Sequence, residues 1–379
     1  MAQLVIDKRS MVCGTGETRC AGLKVSSAFV ILVLLISSLI ASLAAVPAAQ
    51  GFSLDLTAAT ENTDLALYKK IVDLNRSGLD YYEAAIATQR IKGYPVRPFV
   101  TVRMPTLTWL IAGLSYLWAR ALFLLLAAMT VVAWYIRFSG MVRRGRRRMK
   151  FGVLLILLGV LPAIVEPLMW FSESWAGLLI ALSLALRTAD RWWPSVVIGL
   201  VAVCFRELAV PYLVLMGLLA LYERQRWEMV GWGVAILAFG FVVFVHAQSV
   251  QALTQMTDLA SPGWFGRGGW ALFLSSAGEL TTLAALPPWI VALLLPLSLF
   301  GLAAGKSPIA LRTLVTIVAY AVLIALFARP ANIYWVWLIS PILILGLLFI
   351  DTALSDLFRS LMRRKFTSPP PSMASPPGP

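Results

Sequence analysis

The sequence predicts an all-α polytopic membrane protein with about ten transmembrane helices and two amphipathic helices in its first external loop. Three observations predict it. The 379 residues are 60% hydrophobic and only 13% charged, outside the usual balance of a soluble domain. Apolar residues gather into runs long enough to cross about 30 Å of hydrocarbon. Basic residues divide unevenly among the segments between those runs, as they do between the two sides of a membrane.

The first apolar run, 27–49, exceeds a normal signal core. It is read as an uncleaved anchor, although "AAVPAAQ" resembles a cleavage site. Runs at 119–138, 228–247, 286–303, 309–327 and 332–350 supply five further spans. Regions 151–188 and 194–222 each read as a hairpin of shorter apolar helices, broken near Glu166 to Glu173 and at "CFRELAVP". A hairpin returns the chain to the side it left, so it does not disturb the sidedness of the rest.

With the N-terminus inside, the inner segments hold 21 Lys/Arg against 7 Asp/Glu, including "RRGRRRMK" and "LMRRKF". The outer segments hold 11 of each, so the whole formal charge of +14 lies inside. This predicts an inner (plasma) membrane protein with both termini cytoplasmic. Topology and anionic headgroups account for the basic runs, and no nucleic acid partner is expected.

The organisation that follows is a cytoplasmic N-terminal tail (1–26), a membrane domain (27–350) and a cytoplasmic tail (351–379). The membrane domain carries external loops at 50–105 and about 248–285. The last tail ends in the Pro/Ser-rich "TSPPPSMASPPGP", which cannot pack a core. Cys13 and Cys20 fall in the first tail and Cys204 in a span. The lone histidine, His246, leaves a His-based zinc site without ligands and reads as a structural residue at a span end.

The first external loop has two helical patterns with punctuation. "TDLALYKKIVDLNRSG" starts at Asn62 or Thr63 as N-cap and stops at Gly78; "LDYYEAAIATQRIKG" stops at Gly93, ahead of Pro95 and Pro98. Both are amphipathic, which predicts helices lying along the outer surface and roofing whatever lies between the spans. Spacings of three, four and seven put Asp64 on a face with Leu67, Tyr68 and Ile71. Two readings of Asp64 follow: a first-turn carboxylate favouring the helix dipole, or a partly desolvated carboxylate suited to accept a proton.

Glu166, Glu173, Arg206, Glu207 and Arg329 all fall at predicted external span ends, the level that Asp64 would reach from above. Charges near hydrocarbon tend to face cavities or partners. Arg206 has Glu173 or Glu207 to neutralise it. Arg329, in "FARPANIYWVWLISP", has no nearby acid in sequence and stands beside Tyr334, Trp335 and Trp337. A guanidinium so placed can hold a phosphate bidentately, whereas the aromatic run alone is an interfacial belt.

The order of these motifs resembles the GT-C superfamily of membrane glycosyltransferases, in particular bacterial polytopic members that use polyprenyl-phosphate sugars. The resemblance lies in "TDLALYKKIVDLNRSGLDYY", "RMPTLTWLIAGL", "FSESWAGLLIALSLAL", "FRELAVPYLVLMGLLAL" and "IYWVWLISPILILG", which together span most of residues 27–350. It implies transfer of a sugar from a polyprenyl-phosphate donor to an envelope acceptor hydroxyl at the outer leaflet, with inversion. By that resemblance Asp64 is the base, Arg206 and Arg329 meet the donor phosphate, and Glu166, Glu173 and Glu207 are supporting acids. Tyr68, Tyr82, Tyr334 and Trp335 would line the substrate pocket, with Tyr81 at a further motif position.

Departures from the family are plain. Many relatives carry two acids adjacent or one apart in that loop, whereas Glu61 and Asp64 are three apart, and the external C-terminal domain of larger relatives is absent. No phosphate-cradling Gly-rich loop is present, so no nucleotide cofactor is expected; metal dependence stays open. The alternatives from other classes are a transporter or flippase with charges lining a pathway, and a non-catalytic membrane component of an envelope complex.

Overall fold

The computed structural model describes residues 18–51, 63–141 and 146–362. Cys13, Asp55, Glu61, Asn62, Arg143, Arg144 and the tail beyond Met362 lie outside the described residues. The architecture is all-helical. In chain order come α1 (Val25–Ala44), α2 (Val46–Ala49), α3 (Asp64–Arg76), α4 (Tyr81–Ile91), α5 (Thr106–Gly113), α6 (Tyr116–Met141), α7 (Arg146–Val160) and α8 (Ser172–Leu186). They are followed by α9 (Trp193–Phe205), α10 (Val210–Tyr222), α11 (Arg226–Leu253), α12 (Gly269–Leu280), α13 (Pro288–Ala304), α14 (Pro308–Phe327) and α15 (Leu347–Met362).

Among the described residues, α1, α6, α11 and α14 are long and apolar enough to cross a membrane. Helices α8, α9, α10 and α13 are equally apolar but shorter. The expectation of about ten crossings is thus met by four at full length. Helix α8 is hydrophobic on every face and buried along all but its last residue, which marks it as the centre of the bundle. Helices α6 and α9 flank it. The two expected hairpins break where read: a 3₁₀ turn at Glu166–Trp170 precedes α8, and another at Glu207–Ala209 separates α9 from α10.

One expected span is corrected. Residues 332–350 form no continuous helix; Pro330–Leu338 and Ser340–Ile342 are 3₁₀ segments, and α15 starts at Leu347. Pro341 has no N–H to donate and its ring crowds the carbonyl four residues earlier, so an α-helix cannot run through it. Irregular backbone at such apolar positions survives only where protein satisfies it. Here Ser298 Oγ donates to the Leu343 carbonyl at 2.8 Å and accepts from Gly346 N at 3.2 Å, and Ser340 Oγ donates to the Gly159 carbonyl at 3.2 Å. Residues 333–346 are buried throughout, so this segment is a core plug between helices.

Helix α15 carries ordered structure to Met362, past the expected start of the tail at 351. It holds residues just before α1 in place. Asp356 accepts from the backbone and hydroxyl of Thr18 at 2.7 and 3.0 Å, and Ser360 Oγ donates to the Cys20 carbonyl at 2.9 Å.

The first-loop helices α3 and α4 pair with each other, and α3 rests on α5 while α4 rests on α11. Thr63 caps α3 by accepting from Ala66 N at 3.2 Å, and Gly78 and Gly93 both adopt positive φ, +100° and +70°, as a helix stop requires. Leu67, Ile71, Tyr81, Ala84 and Ala85 form the buried side of this pair.

Ion pairs divide into two groups. Lys69–Glu166, Arg90–Asp258, Arg103–Glu173 and Arg206 with Glu173 and Glu207 join residues read as external. Arg148–Asp351, and Arg187 and Arg312 with Glu223 and Glu228, join residues read as internal. None of these pairs crosses from one set to the other, which supports two polar ends separated by an apolar middle.

Candidate functional site

Asp64 is the first residue of α3, and its face turns inward. Three phenols meet its carboxylate. Tyr94 Oη donates to Oδ1 at 2.9 Å, while Tyr334 and Tyr68 donate to Oδ2 at 3.1 and 3.3 Å. Tyr68 reaches it from the next helical turn, Tyr94 from the segment after α4 and Tyr334 from the core plug. A carboxylate is acceptor-only, and three converging hydroxyls suit that role. Burial, then the Asp64 charge, push the Tyr94 hydroxyl up from its ordinary range. Burial dominates at Tyr68 too, outweighing the opposing charge of Arg103. Both phenols therefore remain donors at neutral pH.

A chain of charges continues from Tyr334. Its hydroxyl accepts from Arg103 Nη2 at 3.3 Å and from Asn332 Nδ2 at 3.2 Å. Arg103 Nη1 donates to Glu173 Oε2 at 3.0 Å and Ser172 Oγ at 3.2 Å, and the guanidinium lies 4.2 Å from the Tyr68 ring centre. Glu173 is 0% exposed. Its other oxygen lies 2.9 Å from Arg206 Nε, out of line for a hydrogen bond, and Arg206 Nη1 donates to Glu207 at 2.6 Å. Buried charge of one sign would be costly; here acid and base alternate from Asp64 to Glu207.

Arg103 is held at its backbone as well. Tyr81 Oη donates to its carbonyl at 2.5 Å, and His246 Nε2 meets the carbonyl of Val102 at 3.0 Å. The lone histidine thus fixes the residue before Arg103. A cis peptide joins Arg97 to Pro98 in the segment leading there.

These residues face a cavity of about 560 Å³. Its lining includes the polar Asp64, Arg103, Arg206, Arg329 and Asn332 and the apolar Ile71 and Val72 of α3, Met104, and Leu107 and Ile111 of α5. Arg329 is half-buried, 5.8 Å from the ring of Trp264, and has no carboxylate partner among the described residues. Guanidinium groups and apolar side chains thus share one cavity.

Of the residues singled out from sequence, Asp64, Tyr68, Tyr81, Arg206, Arg329 and Tyr334 all line this cavity. Glu173 stands behind it, pairing two arginines, and Glu207 is bound to Arg206. Three lie elsewhere. Glu166 accepts from Trp170 Nε1 at 2.8 Å and lies 3.8 Å from Lys69. Tyr82 pairs with His246 Nδ1 at 3.3 Å. Trp335 is buried against Trp264 and its indole N–H has no partner among the described residues. Glu166, expected as a supporting acid, and Tyr82 and Trp335, expected as pocket aromatics, are not in the lining of this cavity. Sequence reasoning missed Arg103, Tyr94, Ser172, Trp264 and Asn332. Arg103 carried one usable signal: it stands between two apolar stretches, as Arg206 does.

Among the described residues no group of three or more His, Cys, Asp or Glu side chains is arranged to hold a metal ion. No protein family, curated protein or solved structure matches the chain.

Proposed function

We propose that the chain is a membrane glycosyltransferase that moves a sugar from a polyprenyl-phosphate donor to an acceptor hydroxyl at the outer leaflet, with inversion. The observation that carries this reading is the cavity itself, whose lining brings together a phenol-ringed carboxylate, an arginine with no carboxylate partner among the described residues, and apolar side chains of α3 and α5. The lipid-linked donor would lay its chain against α3 and α5 and its phosphate against Arg329. The arginine fork suits phosphate oxygens.

In the reaction, Asp64 takes the acceptor proton as the acceptor oxygen bonds to the anomeric carbon. The bond from that carbon to the phosphate oxygen breaks, and its electron pair leaves with the phosphate. One displacement inverts the centre. Arg329, with Arg103 in the same lining, offsets the charge that grows on the phosphate.

Asp64→Asn keeps the volume and leaves the Thr63 cap of α3 in place, but cannot accept the proton. Purified variant should retain its thermal stability and lose about 10² to 10⁴ in transfer rate. Near-normal transfer by this variant would sink the mechanism and leave Asp64 as a helix-end residue. Comparing lipid-linked sugars and envelope glycans in cells with the wild-type and variant chains identifies the sugar and acceptor.

A further inference from the structure

Helix α6 carries an arginine near each end, and the two are held differently. At 1.5 Å per residue, Arg120 and Arg137 stand about 26 Å apart along the axis, close to the thickness of a hydrocarbon core. The Arg120 guanidinium donates to the carbonyls of Ala163, at 3.0 Å, and of Ile164. Arg137 is half-buried. Its Nε is shut off from solvent, and among the described residues it has no hydrogen-bond partner and no carboxylate acts on it.

The register of α6 on α8 fixes what lies beside Arg137. Thr130 Oγ1 donates to the Leu178 carbonyl at 3.3 Å and Trp134 Nε1 to the Ala181 carbonyl at 3.0 Å. The two helices therefore run the same way, and Arg137 comes level with the last turn of α8. The residue after that turn is Arg187, which pairs with Glu223 and Glu228 at 2.6 Å each. Arg312 reaches the same two acids at 3.0 and 3.2 Å, and its own Nε is buried without a hydrogen-bond partner among the described residues. The charges that act on Arg137 are those of Arg187 and Arg312. Three guanidiniums thus share this end of the bundle with two carboxylates. A cation left without a counter-ion at the edge of hydrocarbon is costly, so one more negative charge would complete the cluster.

The outward face of α6 leads to the same point. Leu125, Met129, Val132 and Ile136 are all exposed, and their spacing makes one continuous helical stripe. It ends beside Arg137, where Tyr135 is also exposed, an aromatic hydroxyl of the kind that sits at headgroup level.

We propose that Arg137 anchors the phosphate of a bound anionic phospholipid, whose acyl chain lies along the Leu125 to Ile136 stripe and whose headgroup supplies the negative charge that the Arg137, Arg187 and Arg312 cluster lacks. The recognition chemistry is a phosphodiester held by a guanidinium fork. The apolar stripe selects a lipid over free phosphate. This site lies at the opposite polar end from the Asp64 cavity, and it stands whatever that cavity binds.

The test uses the full chain, purified in a neutral detergent and stripped of lipid. It is titrated with dioleoyl phosphatidylglycerol, dioleoyl phosphatidylcholine or inorganic phosphate, with native mass spectrometry counting bound lipid and a thermal melt reading stability. Phosphatidylglycerol should bind the wild type in preference to phosphatidylcholine and raise its unfolding midpoint. Arg137→Gln should weaken phosphatidylglycerol binding by about tenfold or more, the scale of one charged hydrogen bond, and lose the rise in midpoint. Arg137→Lys, which keeps the charge without the fork, should weaken it by a smaller factor, and carries the test should the glutamine variant not fold. Arg226→Gln removes a charge from an exposed position at the same end and should bind as the wild type does.

Equal binding of the two lipids by the wild type would overturn the proposal. So would unchanged phosphatidylglycerol binding in both Arg137 variants, which would leave Arg137 as a side chain that only snorkels to the headgroup level. Inorganic phosphate that matched the stabilisation by phosphatidylglycerol would overturn it in favour of a free-anion site.

Discussion

Arg206 and Arg329 both face the cavity, yet only one has charge to spare. Arg206 is enclosed by Glu173 and Glu207, whereas Arg329 touches the Trp264 ring and has no acid partner among the described residues. Lysine keeps the charge but not the planar fork. Arg329→Lys should therefore cut donor-dependent transfer by about tenfold or more, the scale of one charged hydrogen bond, and leave the unfolding temperature unchanged. Arg206→Lys should do the reverse, lowering thermal stability because it disturbs a buried pair. Equal loss of stability in both would reduce Arg329 to a structural residue. The inward face of Asp64 was legible because helical spacing reports which residues share a side. Tyr94 was not, because it sits outside any periodic element and reaches Asp64 only through the fold of α4 back over α3.

At the scale of elements, the hairpin breaks and loop helices were legible and the core plug was not. Residues 332–350 pass every test of apolar length. Only the proline at 341 and the serines on neighbouring segments reveal that the backbone is satisfied from outside rather than by its own helix. The plug also demands close approach from α8. A Cβ added at Gly177 would stand 2.0 Å from the Trp337 carbonyl oxygen, and backbone on both sides cannot yield as a side chain would. Gly177→Ala should cost about 1–3 kcal/mol, as overpacking does, read as a lowered unfolding midpoint in detergent. A second element-level contact is tuned by pH. The hydrogen bonds from Arg90 and from Gln255 N hold the Asp258 carboxyl at about 2, tying α4 to the loop after α11. A depressed carboxyl pKa adds stability above the unfolded value and loses it as pH falls through the folded one. Asp258→Asn should therefore unfold at a lower temperature than wild type at neutral pH. The difference should shrink from about pH 4 downward and be gone below about pH 2. A gap independent of pH would assign the effect to shape instead of charge.

For the whole molecule, the organising quantity is charge sorted by end. The residues read as external, neutral in sum, include those that line the cavity, and the residues read as internal carry the entire excess of +14. Among the described residues, the Arg187, Arg312, Glu223 and Glu228 cluster braces one end and the Asp64 to Glu207 chain the other. If the ends face opposite sides of the membrane, a single cysteine placed on each should react with an impermeant thiol reagent from opposite sides. Ile91 and Pro262 are exposed near the cavity, and Arg191 and Arg226 are exposed near the inner cluster. In a background with Cys13, Cys20 and Cys204 changed to serine, Ile91→Cys and Pro262→Cys should label in intact cells. Arg191→Cys and Arg226→Cys should label only after the membrane is opened. The reverse pattern would keep the bundle but put the cavity in the cytoplasm. Donor and acceptor would then have to meet at the inner leaflet, and the proposed transfer at the outer leaflet would fall.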